Sequence, residues 1–530
     1  MKKIFTTLML CALIPLLFSQ SEPRQMTKAR QLKDKGLYQE CLKLMDAVIA
    51  EQPDFAGARF YRGEVFYELE NYNEAIKDFA NGIKILNLKT VIAYNQSGMC
   101  KSAIKNFHGA IEDFSSAIEI FPEYYEAYVN RGNVKMEILD HKGAIADYTK
   151  GLLIDPRYAP AYYKRGVAKV QLKNYASAIE DFEYALKLNY NIWELYNDMG
   201  FSKLSLGMRK EAVDDFNKAI DIDSKQAVPH KNKGDAFKEL QDYENALLSY
   251  KRAYNLDPNF AAAYNESGLI NYELAKYKEA VEEFTKAISI NPKFESALFN
   301  RGRVLRIIGK YNEALNDFSK VIEMNPMHVA AFINRGNTKR DLGDFQGAIE
   351  DADIAIEIDK NNATAYFLRG YIKNYIPDYQ AAIEDYSKAL ELHVGNAYRV
   401  LHFRGRAYMS VNDTASAFED FKKVIEIIEK ADSKDYSVLA YSYFFLDQYP
   451  KAIQALNVEI ADRPYNPWPY YNMACLYSLM NRVEDALKYL DLALEKGFSE
   501  IDHLKKDEDL NNIKKTPQFK ELMSKHAFVY

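Results

Sequence analysis

Arginine, asparagine and aromatic side chains gather in one stretch of this sequence. Arg303 and Arg306 stand three residues apart, so a helix would project both from one side. Asn337 and Arg340 repeat the spacing, and Asn374 and Arg406 lie beyond. Phe299, Phe367 and Tyr371 are interleaved with them, and Tyr375, Tyr441 and Trp468 continue the aromatic series. The chemistry these residues can do is recognition. Guanidinium groups hold carboxylates through two parallel hydrogen bonds, carboxamides pair with peptide backbone, and aromatic rings anchor interfaces. An extended acidic peptide suits the set. The opposing reading is an ordinary solvated surface in which Asp341 neutralises Arg306.

Catalytic chemistry has no comparable residues. No P-loop, GxGxxG, HExxH or GxSxG string occurs. The eight histidines are scattered, and none shares a helix face with another histidine and a carboxylate at metal-ligand spacing. Cys41, Cys100 and Cys475 lie far apart and form no CxxC pair, which predicts no disulfide or metal site. Cys41 and Cys100 read as small buried hydrophobes, Cys475 as a partly exposed thiol. With 69 basic and 75 acidic residues the net charge is −6, which disfavours nucleic acid as the main partner. No enzyme, cofactor or metal is expected.

The elements that must position the arginines come from a 34-residue unit, clearest in Glu295–His328. Leu298, Gly302 and Leu305 recur at helical spacing, Gly309 breaks the pattern, and Ala314, Phe318, Val321 and Ile322 form a second stripe that Pro326 stops. A glycine inside a helix costs about 1 kcal/mol relative to alanine, so Gly302 needs a packing reason. The expected one is Ala314, twelve residues on, which would let the two helix backbones approach closely. Small residues recur at this step from Ala29 through Gly63 and Gly302 to Ala440 and Ala474, giving fourteen copies. The position twelve residues later is alanine in thirteen of them and Cys41 in the first.

A second regularity concerns charge. Arginine precedes the small residue at Arg62, Arg131, Arg165, Arg301, Arg335, Arg369 and Arg404. Each of those copies carries an aspartate sixteen residues beyond the arginine: Asp78, Asp147, Asp181, Asp317, Asp351, Asp385 and Asp420. Co-occurrence within one chain predicts a structural ion pair between the two helices of a hairpin, in preference to a ligand-binding arginine row.

Gly302, Tyr311, Ala314, Phe318 and Pro326 match the pattern of the tetratricopeptide (TPR) repeat, which this chain resembles from about Glu22 to Lys496. The resemblance implies an all-α, right-handed α-solenoid of about fourteen helix hairpins that binds proteins or peptides and has no chemistry of its own. It also implies that first helices line a concave groove. That would place Arg303, Arg306, Asn337, Arg340, Asn374, Arg406, Phe299, Phe367 and Tyr371 along its wall, after an earlier stretch that is acidic at Glu64, Glu68, Glu137, Asp235, Glu239 and Glu273. The Lys/Asn carboxylate clamp of chaperone-binding relatives is not matched, because Asp235 stands where asparagine is needed near Lys231.

Three segments follow. Residues 1–21 read as a secretory signal peptide, with Lys2 and Lys3 before the apolar run Ile4–Phe18. Residues 22–496 hold the repeats, expected as one continuous superhelix, with a longer second helix near Ile427. Residues 497–530 read as a C-terminal capping segment, with Thr516-Pro517 starting a helix that shows Phe519 and Leu522 on one face. The address implied is the periplasm or surface of a bacterium, with membrane contact only through a partner or an uncleaved leader. The leading expectation is a non-catalytic adaptor. The alternatives are a structural component of an envelope or secretion complex, and a glycan or peptidoglycan binder using the aromatics of the last repeats.

Overall fold

The computed structural model describes residues 24–86, 90–431 and 434–526; the expected leader lies outside them. Among the described residues the chain is helical throughout, without strands. It divides into two compact units, residues 1–270 and 271–530. Consecutive helices pair as antiparallel hairpins, from Arg24–Asp34 with Tyr38–Glu51 to Pro467–Leu479 with Val483–Glu495. The first seven hairpins belong to the first unit and the ninth to fourteenth to the second, the division falling within Ala261–Glu273. No helix among the described residues is long and apolar enough to cross a membrane.

Each hairpin is closed by the same backbone device. The residue seven positions past the small residue takes positive φ, as Gly36, Gly207, Gly309 and Gly343 do. Most copies manage this without glycine: Glu70, Lys105, Leu139, Lys173, Gln241 and Asn481 adopt φ near 60°. A side chain there is strained by roughly 1–2 kcal/mol, so tertiary packing of the helices overrides local preference.

Gly302 has a different neighbour from the one expected. A Cβ on Gly302 would lie 2.8 Å from Cε1 of Phe318, and the same ring edge faces Gly63, Gly98, Gly166 and Gly405. The glycine makes room for a buried aromatic ring sixteen residues on. At Gly336, whose counterpart sixteen residues on is Ala352, a Cβ would meet Leu368 Cδ2 of the next repeat and the Ala348 carbonyl oxygen, both at 3.2 Å. The expected approach to the alanine twelve residues on is thus seen there, and again between Gly200 and Ala212 and between Gly370 and Ala382. Alanines such as Ala314 and Ala348 are fully buried in the same layer.

All seven expected ion pairs form. In each, arginine Nε and Nη2 donate to the two carboxylate oxygens of its aspartate, as in Arg301–Asp317 at 2.8 and 2.8 Å. The remaining Nη1 reaches the second helix of the preceding repeat, to Asp46, Ser115, Thr149, Thr285, Ser319, Asp353 or Ser387. One side chain therefore ties three helices and fixes the register between neighbouring hairpins. The aspartates are buried, so these are not the weak exposed pairs that contribute under about 1 kcal/mol.

The C-terminal segment is more elaborate than one capping helix. Thr516 does cap Pro517–Lys525, its Oγ1 accepting from Phe519 N at 3.2 Å, and Phe519 is fully buried. Before it, the 3-10 turn Glu508–Leu510 packs on Pro467–Leu479, Asn511–Lys514 packs on both helices of the last hairpin, and Ile501–Lys506 meets the first of them through His503 against Trp468 and Tyr471. Leu504, Leu510 and Ile513 join Tyr471, Leu476 and Leu490 in one core. The longer second helix expected near Ile427 is present as Thr414–Lys430.

Candidate peptide-binding face

Arg303, Asn337, Tyr371, Arg406, Tyr441 and Cys475 occupy one register position, each a single residue past its repeat's small residue. The residues therefore come from successive first helices: Glu295–Ile307, Val329–Asp341, Ala363–Tyr375, Ala397–Ser410, Tyr436–Phe445 and Pro467–Leu479. All lie within the second unit.

The structure gives each candidate a definite setting. The Arg303 guanidinium stacks over Tyr272 at 4.8 Å and donates to its hydroxyl at 3.0 Å. Arg306 Nη1 donates to Asp341 at 3.0 Å, while its Nε is buried without a hydrogen-bond partner. Arg340 donates to the other Asp341 oxygen and to Asn337 Oδ1, and its guanidinium covers the Tyr371 ring at 5.1 Å. Asn337 spends its own donor on the Ile333 carbonyl. Asn374 lies on the same helix as Tyr371, half-buried. Tyr371 and Tyr375 share a hydroxyl contact of 3.1 Å, and Tyr375 is 54% exposed.

Two aromatics have another role. Phe299 packs against Phe318 and His328, and Phe367 against Tyr386 and Phe403, so both supply hairpin packing more than open surface. Asp341 serves two arginines at once, as the solvated-surface reading anticipates for Arg306. Arg406 lies 3.5 Å from Asp509 in the C-terminal turn. Four guanidinium groups, those of Arg303, Arg306, Arg340 and Arg406, stand against three carboxylates, Asp341, Asp507 and Asp509, with Arg303 bonded to Tyr272 and not to an acid, so this face keeps a cationic excess.

The turn residues Asp507 and Asp509 escape the sequence reading, although Asp509 falls one 34-residue step past Cys475. Asp507 accepts from Tyr471 Oη at 2.7 Å and lies 3.6 Å from Cys475 Sγ. Cys475 is 1% exposed, which corrects the expectation of a partly exposed thiol; burial and the two neighbouring carboxylates push its pKa up. Cys41 and Cys100 are buried as expected. In the first unit a cavity of about 310 Å³ is lined by Glu64 and Glu68, where Glu64 already accepts from Lys33 and Gln96.

His402 sits behind this face, its ring packed among Phe403, Phe421 and Phe445. Burial, then the nearby Arg406 charge, lower its pKa to about 3. The folded state therefore refuses a proton that the unfolded chain accepts below about pH 6.5. Stability is lost as pH falls from there towards 3. His402→Phe, the residue type at the matching Phe299 and Phe367, should reduce the loss in unfolding free energy between pH 7.5 and 5 by about 2 kcal/mol. Urea melts at the two pH values measure this, and an unchanged difference would refute it.

Stacked helix hairpins on a 34-residue period define a helical-repeat protein. The chain belongs to the tetratricopeptide-repeat family. Models described as "Tetratricopeptide repeat" match residues 26–86, 283–316 and six further stretches: 159–192, 194–226, 261–294, 363–392, 398–430 and 469–495. A "TPR repeat" model matches 234–275. Members of this family are protein-interaction scaffolds, generally without catalytic activity.

Individual relatives are partial. Tetratricopeptide repeat protein 16 of Mus musculus is 28% identical over 102 residues, 18% of this chain and 13% of that protein. A chloroplastic protein of Arabidopsis thaliana is 36% identical over 53 residues, 10% of this chain and 16% of that protein. The chain thus spans less than a fifth of the length of either curated relative. The crystal structure of YrrB, a TPR protein described as having an unusual peptide-binding site, is 26% identical with a TM-score of 0.31, covering 36% of this chain and 97% of that one.

Proposed function

We propose that this protein is a non-catalytic scaffold of the bacterial cell envelope that holds an acidic peptide segment of a partner along the first helices of its second unit. The observation that carries the reading is the cationic excess at Arg303, Arg306, Arg340 and Arg406, set beside the part-buried ring of Tyr371 and the exposed ring of Tyr375. Charge-assisted hydrogen bonds contribute about 1.5–3 kcal/mol each, so three arginines are enough to decide capture of a partner. Export is supported by Lys2, Lys3 and the apolar run Ile4–Phe18, which lie outside the described residues.

The test replaces Arg303, Arg306 and Arg340 together with glutamate and measures capture of partners from an envelope extract. The expected result is loss of capture by a factor of about 100 or more, with the helical signal unchanged. Capture that survives the reversal overturns the groove reading and leaves docking into a larger assembly through another surface.

A further inference from the structure

The C-terminal turn touches the same register column that carries the arginines. Asp509 reaches Arg406 at 3.5 Å, and Asp507, two residues earlier, bonds Tyr471 and lies against Cys475. The two carboxylates are close enough to raise the Asp509 pKa, burial being the larger cause and Asp507 a further one, while Arg406 opposes them. Asp507 is held by the Tyr471 hydroxyl and lies 3.7 Å from His503 Nε2, whereas Asp509 faces the Arg406 guanidinium and the Tyr441 hydroxyl. Like charges this close cost energy unless each is paired. The turn Glu508–Leu510 is three residues long, with its own Leu510 fully buried, as are Leu504 before it and Ile513 after it. Release of Arg406 therefore needs only the Asp509 side chain to rotate away while the turn stays seated.

We infer that Arg406 is a carboxylate site of the binding face which the chain fills with its own Asp509, and that an acidic partner segment binds there in competition with the turn. This deepens the reading given above and rests on it. The occupant is an aspartate or glutamate side chain of an extended acidic peptide, whose neighbouring residues meet Tyr371 and Arg340. Asp509 acts as the internal version of that ligand. A site held closed by an internal competitor shows an affinity reduced by the fraction of time it is open.

The experiment measures binding of a fluorescein-labelled hexaglutamate peptide to the full chain by anisotropy, with hexaglutamine as the uncharged comparison. Asp509→Asn should tighten hexaglutamate binding about fivefold or more. Glu508→Gln removes the same charge from the exposed neighbour and should change binding less than about twofold. In an Arg406→Gln background, Asp509→Asn should have no effect. Thermal melts establish that each variant is folded, and removal of one crowded acid should not lower the melting temperature. Equal effects of Asp509→Asn and Glu508→Gln overturn the inference, as does tightening that persists without Arg406. If hexaglutamate binding is lost in the Arg303, Arg306 and Arg340 reversal yet ignores Asp509, the groove reading stands and this inference fails. If the unmodified chain does not distinguish hexaglutamate from hexaglutamine, both fail.

Discussion

Asp385→Ala is expected to lower the stability of the second unit by about 2–4 kcal/mol, because it removes the buried carboxylate that serves two part-buried cations, Arg369 and Lys373. Asp385 is 4% exposed and accepts from Arg369 Nε at 2.9 Å, from Arg369 Nη2, and from Lys373 Nζ at 2.8 Å. Arg369 keeps only Asp353 of the preceding repeat after the change. Lys373 keeps none of its observed side-chain partners. Replacing Arg369, Lys373 and Asp385 together with Met, Met and Leu should recover most of the loss, since a buried ion pair is often matched by apolar groups of similar volume. Urea denaturation gives the free energies. Amide exchange should locate the opening at Ala363–Tyr375 and Tyr379–Glu391, as neighbour-limited contacts in a repeat array require. A cost below about 1 kcal/mol for Asp385→Ala would mean that the pair behaves as a solvated surface bridge.

Phe318→Ala should cost about 3–5 kcal/mol by cavity formation, and its interaction with Gly302 is the more specific expectation. Gly302→Ala alone carries two opposed terms. Helix propensity favours it by about 1 kcal/mol, but the new methyl would meet Phe318 Cε1 at 2.8 Å and Cζ at 3.0 Å. The ring is fully buried and cannot swing aside, so overpacking of about 1–3 kcal/mol wins. In the Phe318→Ala background the obstacle is gone and Gly302→Ala should become stabilising. A change of sign between the two backgrounds, measured as a double-mutant cycle, is the decisive outcome. The same sign in both would show that Gly302 answers to Ala314 and not to the ring.

The aspartate and phenylalanine cases differ in how far the sequence reveals them. Arg369 and Asp385 can be paired on paper because the aspartate accompanies the arginine in all seven copies that have it, while only three of the seven copies without it keep an acid there, Asp113, Asp215 and Glu283. Repetition supplies the comparison that an isolated domain would lack. The link from Arg369 to Asp353 is less visible, since the corresponding positions vary among Asp, Ser and Thr and only hydrogen-bonding capacity is shared. Gly302 and Phe318 are both periodic, yet so is Ala314. Spacing cannot say which of two periodic residues meets the glycine when all three lie on facing stripes.

The candidate binding face was legible as a set of residue types and not as a set of contacts. The spacing of Arg303, Arg306 and Arg340 placed them on successive first helices, but Asp341, one residue past Arg340, was free on paper to face either way. Its engagement of Arg306 and Arg340 together depends on how neighbouring hairpins stack.

What the sequence determined by itself is the hairpin, its period and its internal ion pair, because these arise from contacts within one 34-residue unit or with the next, the hairpin being written fourteen times and the ion pair seven. What only the tertiary structure decided is where the chain's end returns. Asp507 and Asp509 reach Tyr471, Cys475 and Arg406 through a turn seated on a core of Leu504, Leu510 and Ile513. That contact joins residues about a hundred positions apart in a segment without hairpin repetition, so no local period encodes it.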